Sequence, residues 1–151
     1  MEQDFRDMLD ELTRANVEFL LVGAHAMAVH GCPRYTGDID FWVRPNIENS
    51  RRVHLALANF GAPVAEVEHD YFSKQGNAFQ VGVPPLRIDL LTQVSGLDFE
   101  AAWPNRTIVS MDQIEVPVIC LDDLLINKQS TGRPKDAVDV VMLEKKKRQQ
   151  K

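Results

Sequence analysis

Cysteine is scarce in this chain. Two residues, Cys32 and Cys120, occur in 151, too few for a disulfide framework or a thiolate-rich zinc site. A reducing cytoplasm is the expected compartment. Long apolar runs are missing too: none approaches the roughly 20 residues that cross a bilayer, so no membrane span is expected. The opening residues, Met1-Glu-Gln-Asp-Phe-Arg-Asp7, are acidic and unlike a secretory signal. Positive charge is in deficit. The net charge is −5, which argues against a broad nonspecific nucleic-acid surface. The deficit is uneven: residues 145–151, Lys-Lys-Lys-Arg-Gln-Gln-Lys, carry +5, leaving −10 on the remainder. That tail reads as a frayed, solvated helix end in preference to an arm that recruits RNA or another polyanion. Repeats and low-complexity blocks are absent. The chain length and an apolar fraction of 44% suit one globular domain, taken as residues 1–144 with a basic tail at 145–151.

What is present is organised around short apolar strands and amphipathic helices. Phe5, Met8, Leu9 and Leu12 recur at helical spacing within Glu2–Asn16. Phe19 to Val22 reads as a buried strand ended by Gly23, with a short helix over Ala24–Val29. His30 to Gly37 reads as a loop that leaves room for an exposed Cys32, with nothing nearby to mark it as a nucleophile. Ile39, Phe41 and Val43 alternate with Asp38, Asp40 and Trp42, the period of a strand. Asn46 is placed to cap a helix that runs to about Asn59 and stops at Gly61 and Pro63. Short strands are expected at Val64–Glu68, Phe79–Val83 and Leu86–Thr92, and a strand pair at Ile108–Ser110 and Ile114–Ile119. Asp122 is expected to cap a helix through Ser130, with Gly132 ending it. A last helix starts at Pro134. The pattern predicts an α/β (α+β) domain, a central mixed sheet flanked by helices.

Three aspartates stand out because carboxylates on apolar strands are costly unless a cation meets them. Side chains at i and i+2 of a strand share a face. Asp38 and Asp40 therefore point together, while Ile39 and Phe41 face the core. Asp89, between Ile88 and Leu90, points away from its apolar neighbours. If the two strands are adjacent, the three converge into a set of oxygen ligands suited to Mg²⁺ (or Mn²⁺) and substrate phosphate. Asp89 could also serve as the base that takes a proton from an attacking hydroxyl. Gly23, between strand and helix, leaves backbone N–H groups free for phosphate. Against this stand plainer roles: a turn residue for Asp38, an ion pair with Arg87 for Asp89, and a strand terminator for Gly23.

These residues resemble the DNA polymerase beta-like nucleotidyltransferase superfamily. Its pattern is a Gly-Ser or Gly-Gly turn, a helix, Asp-apolar-Asp/Glu, and a third carboxylate on a later strand. The matching residues are Gly23-Ala24, Asp38-Ile39-Asp40, and Asp89 within Arg87-Ile-Asp-Leu-Leu91. A narrower resemblance is to small bacterial proteins related to AbiEii-type toxin nucleotidyltransferases. Arg34-x-Thr36-x-Asp38-Ile-Asp40, Lys128 and Arg133-Pro-Lys-Asp-Ala-Val-Asp139 carry it, and it covers about residues 18–140. The resemblance implies a minimal nucleotidyltransferase fold and transfer of a nucleoside monophosphate from a nucleoside triphosphate (NTP). It implies Asp38, Asp40 and Asp89 as metal ligands, Gly23 approaching the triphosphate, and Lys128 on its β- or γ-phosphate. The acceptor classes are RNA, a protein hydroxyl or a small-molecule alcohol, and a toxin role would bring an antitoxin-like partner. Ala24 departs from the pattern: a backbone N–H survives there, but a serine hydroxyl contact to phosphate does not.

Other residues carry weaker signals. Thr36 is placed to stabilise its turn through the hydroxyl, and Arg34 to meet either nucleotide or a carboxylate. Asp139 is expected to pair with Arg133 or Lys135, as part of a network joining the last helix to the site. His25 and His30 are five apart, not the four of a helical metal pair, and read as hydrogen-bonded helix residues. Trp42 shares the aspartate face, where base stacking is conceivable, whereas Trp103 reads as core. The rival readings are a catalytically impaired binding protein of the same fold, an RNA- or protein-interaction module acting through its tail, and a metal-dependent hydrolase.

Overall fold

Residues 1–150 are described by a computed structural model. Helix α1 (Gln3–Arg14) buries Phe5, Met8, Leu9 and Leu12, the stripe its spacing predicts. Strand β1 (Phe19–Val22) is buried at all four positions, as befits a strand covered on both faces. Gly23 has φ +72°, and helix α2 (Gly23–Val29) begins there. Strand β2 spans Asp38–Val43. Helix α3 (Ile47–Phe60) is capped by Asn46, whose side chain accepts from the Asn49 N–H at 2.8 Å, and ends at Gly61 with φ +97°.

Strands β3 (Ala78–Val81), β4 (Arg87–Leu91), β5 (Thr107–Met111) and β6 (Ile114–Val118) complete one six-stranded sheet. Its order is β3-β4-β2-β1-β6-β5. β2 pairs parallel with β4, and β1 parallel with β6, while the other neighbours are antiparallel. The sheet is therefore mixed, as expected. A short helix α4 (Phe99–Ala102) precedes β5. Helices α5 (Leu121–Ser130) and α6 (Pro134–Gln149) close the chain and pack on each other, and α1 packs on α3. None of the described helices is long and apolar enough to cross a membrane.

Three expectations need correction. Val64–Glu68 forms turns and no strand, closed by the Val67 N–H on the Val64 carbonyl. The segment beyond it is pinned to α3 instead: Ser50 Oγ donates to the His69 carbonyl and accepts from the Phe72 N–H. The cap of α5 is Cys120, whose Sγ accepts from the Asp123 N–H at 3.4 Å, so Asp122 falls inside the first turn, where its charge suits the helix dipole. Cys32 is buried, with Sγ 3.8 Å from the Met142 carbonyl oxygen. Residues 145–149 of the basic tail are helical, as a helix end was expected there. α6 runs through residue 144 to Gln149, and Lys147 Nζ pairs with Asp122 Oδ1 at 3.0 Å.

Candidate active site

The parallel register of β2 and β4 places Asp40 opposite Asp89 and Asp38 opposite Arg87. Ile39, Ile88, Phe41 and Leu90 turn the other way and are buried. One face of two neighbouring strands thus carries Asp38, Asp40, Arg87 and Asp89, because the period-two apolar pattern commits the opposite face to the core. Across β1, Val22 pairs with Asp40, which brings the Gly23 turn over the Asp40 carboxylate. A Cβ added at Gly23 would lie 2.2 Å from Asp40 Oδ2. Glycine is required there by its backbone conformation and again by the close approach of the carboxylate. On the far side, Gln80 of β3 is exposed and pairs with Asp89.

The electrostatics are those of crowded carboxylates. Burial pushes the Asp40 carboxyl up to about 7. A hydrogen bond with Asp89 and the charges of Asp89 and Asp38 push the same way, against the opposing pull of Arg87. Asp89 itself is only 7% exposed. The Arg87 guanidinium lies between the other two acids, 3.2 Å from Asp38 Oδ2 and 3.1 Å from Asp89 Oδ1. Among the described residues, no three His, Cys, Asp or Glu side chains are gathered closely enough to enclose an ion; Asp38 is turned to Arg87. The residues nonetheless fit a hard divalent cation. All three donors are carboxylate oxygens, and the buried Asp89 Oδ1 makes no hydrogen bond, its one cationic neighbour being Arg87 at 3.1 Å. Asp40 keeps open the face that glycine leaves clear.

Across a cavity of about 370 Å³ from these acids stands a cluster of cations and buried carboxylates. Lys128 Nζ lies 3.1 Å from Asp136 Oδ1 and 3.0 Å from Asp139 Oδ2. Asp136, 1% exposed, also accepts from Thr131 Oγ1 at 2.6 Å and from Arg133 Nε at 2.7 Å. Burial is the largest single influence on Asp136 and pushes it up. The hydrogen bonds from Thr131, Lys128 and Arg133 together outweigh it and hold the carboxyl down at about 2. Asp139 pairs with Arg34 at 2.5 Å as well as with Lys128, not with the expected Arg133 or Lys135. The reason is geometric: Arg34, in the loop before β2, reaches across to α6. Thr36 has its expected role, with Oγ1 accepting from the Asp38 N–H at 3.1 Å. Gly23, Ala24, Arg34, Thr36 and Lys128 all line the cavity with the three aspartates.

Several other residues fall outside it. Trp42 is buried edge-on to Phe99, closed to any base. Trp103 is half-buried, stacked on Phe99 with the Arg106 guanidinium over its ring. The His30 ring bonds the Ile119 carbonyl at 2.7 Å, and His25 packs edge-on to Phe5. His54 and His69 stack on one another away from the cavity. Val94, Ser95 and Asn127 line the cavity without any motif in the sequence to mark them. The expected ion pair of Arg87 with Asp89 forms, whereas its contact with Asp38 depends on strand pairing and had no signal in the sequence.

Acidic side chains thus pair across adjoining parallel strands, beneath a glycine turn on the next strand and facing a cationic wall. The chain belongs to the nucleotidyltransferase family of unknown function DUF6036, whose model matches residues 2–144. Among solved structures the fold is similar to the 1.87 Å crystal structure of a candidate nucleotidyltransferase from Thermotoga maritima. The TM-score is 0.61 at 14% identity, over 91% of this chain and 88% of that one. At that identity the likeness speaks for the fold alone. No curated protein matches the chain.

Proposed function

We propose that the protein transfers a nucleoside monophosphate from an NTP to an acceptor hydroxyl, releasing pyrophosphate. The observation that carries this reading is the in-register pairing of Asp40 with Asp89 directly beneath Gly23. Asp38, Asp40 and Asp89 would hold Mg²⁺ or Mn²⁺, which supplies Lewis-acid stabilisation of phosphate charge. The acceptor oxygen bonds to the α-phosphorus as the bond to the bridging β-phosphate oxygen breaks. The electron pair of that bond leaves with pyrophosphate, and Asp89 takes the hydroxyl proton. Gly23 and Ala24 bring backbone N–H groups to the triphosphate. Lys128, already fixed by Asp136 and Asp139, meets its outer phosphates without a search through rotamers. Arg34 and Thr36 hold the loop that presents Asp38.

The acceptor lies within RNA ends, protein hydroxyls and small-molecule alcohols. A second reading makes the protein the toxin of a toxin–antitoxin pair. It draws support from the Arg34–Asp139 pair, which joins the two halves of the AbiEii-like motif. Growth arrest on expression, relieved by Asp38→Asn/Asp40→Asn, tests that reading.

The main test is thermal unfolding of the wild type and the Asp38→Asn/Asp40→Asn double variant with each of the four NTPs, with and without Mg²⁺. Saturation near 100 times the dissociation constant adds about 2.7 kcal/mol. A Mg²⁺-dependent rise confined to the wild type is expected. No rise with any triphosphate at millimolar concentration overturns the proposal. A rise without turnover on any acceptor favours a nucleotide-binding protein that has lost catalysis.

A further inference from the structure

The cavity lining mixes two chemistries. Gly23, Ala24, Lys128, Arg133 and Lys135 offer backbone N–H and cationic groups. Leu91, Val94, Ser95 and Asn127 carry no charge. The strap that supplies Val94 and Ser95 continues from β4 and is held firmly. Thr92 is buried, donates through Oγ1 to the Lys74 carbonyl at 2.7 Å and accepts the Asn77 N–H at 2.8 Å. Gly96, at φ +79°, lies so near α5 that a Cβ would fall 2.0 Å from Ser130 Oγ. Asn127 Nδ2 donates to the Ser95 carbonyl at 2.9 Å. That bond fixes which way the Asn127 amide points and uses one of its two N–H groups. Its Oδ1 and second N–H remain for a ligand.

A nucleotide has an anionic end and a flat, weakly polar end. With its phosphates on the cationic groups, the uncharged residues are the ones left to meet its base. We propose that Leu91, Val94, Ser95 and Asn127 form the nucleobase subsite, in which the Asn127 amide selects bases carrying an amine at C6 of a purine or C4 of a pyrimidine beside a ring acceptor nitrogen. The inference rests on the nucleotidyltransferase reading. An amide that presents C=O and N–H side by side matches the amino group and ring nitrogen of adenine. Cytosine offers the same donor–acceptor pair. Presented by the same edge in the same orientation, hypoxanthine, guanine and uracil place an oxo group against Oδ1, acceptor against acceptor.

Isosteric pairs test this directly: calorimetric binding of ATP against ITP, and of CTP against UTP, with Mg²⁺ present, to the wild type and to Asn127→Ala. Expected is a preference of about tenfold for the amino member of at least one pair, the scale of one bidentate contact. Which pair shows it separates purine from pyrimidine recognition. In Asn127→Ala the ratio should fall to within about twofold, with the oxo member's affinity little changed. Equal affinities within both pairs, a preference for the oxo members, or a ratio that survives Asn127→Ala each overturn the assignment. If Asn127→Ala does not fold, the wild-type ratios decide alone. Failure of every triphosphate to bind sinks the parent reading and this one together, whereas equal binding of all four sinks only this one.

Discussion

Replacing Gly23 with alanine tests how the turn and the carboxylates depend on each other. Gly23 has φ +72°, a conformation that costs an L-residue about 1–2 kcal/mol. The new Cβ would also sit 2.2 Å from Asp40 Oδ2 and 3.2 Å from its Cγ. The obstacle is a short side chain, so the overlap is relieved by turning Asp40 away at about 0.5–1.5 kcal/mol. A total near 2–3 kcal/mol corresponds to a fall in Tm of about 4–12 °C for a chain of this size. The larger consequence is chemical, because a turned Asp40 no longer faces Asp89. Thermal unfolding should show the lower Tm together with loss of the Mg²⁺-dependent nucleotide shift. Gly61→Ala is the control. Gly61 has φ +97° with nothing within 4 Å of the added Cβ, so it bears the backbone cost and keeps the nucleotide shift. The reasoning is refuted if Gly23→Ala binds Mg²⁺ and nucleotide like the wild type, or if Gly61→Ala loses as much stability and as much binding.

Three further outcomes are expected. Asp40 is raised from its ordinary carboxylate value to about 7, so between about pH 4 and 7 the native state holds a proton that the unfolded chain releases. Stability therefore falls as pH rises through that window and levels off above it, by an amount on the order of 2–4 kcal/mol. His25, lowered first by burial, acts in the opposite sense, so the comparison is urea unfolding of the wild type against Asp40→Asn at pH 5 and 8; parallel curves would refute the assignment. Lys128→Met leaves Asp136 and Asp139 short of a partner and should cost about 2–4 kcal/mol in denaturant unfolding, and a change below about 0.5 kcal/mol would show the clasp to be dispensable. Arg87→Gln removes the cation between Asp38 and Asp89, so Tm should fall without Mg²⁺ and the rise on adding Mg²⁺ should exceed that of the wild type; an equal or smaller rise would show that Arg87 does not compete for those acids.

The acids were legible in the sequence because period-two alternation assigns faces without any knowledge of the fold. Ile39 and Phe41 had to be core, and this alone set Asp38 and Asp40 together. Strand adjacency was not legible: that β4 lies beside β2, and that Asp40 meets Asp89, depends on pairing between segments 49 residues apart. The same holds for Arg34 and Asp139, 105 positions apart, where no local pattern names the partner. Asn46 was readable as a cap because its side chain competes for local N–H groups, whereas Cys120 was not, since sulfur is a weak acceptor. Val94, Ser95 and Asn127 carry no spacing signal at all. They reach the cavity only because the strap after β4 is folded onto α5.

The pairing of β2 with β4 ties the accuracy of the chemistry to the integrity of the interior. A slip of one residue would carry Arg87 and Asp89 into the apolar layer and bring Ile88 to the cavity. No gradual misalignment is open to such a site. Its acids hold their register for as long as Ile39, Phe41, Ile88 and Leu90 stay buried, so positional tolerance is set by core packing and not by any bond among the acids themselves.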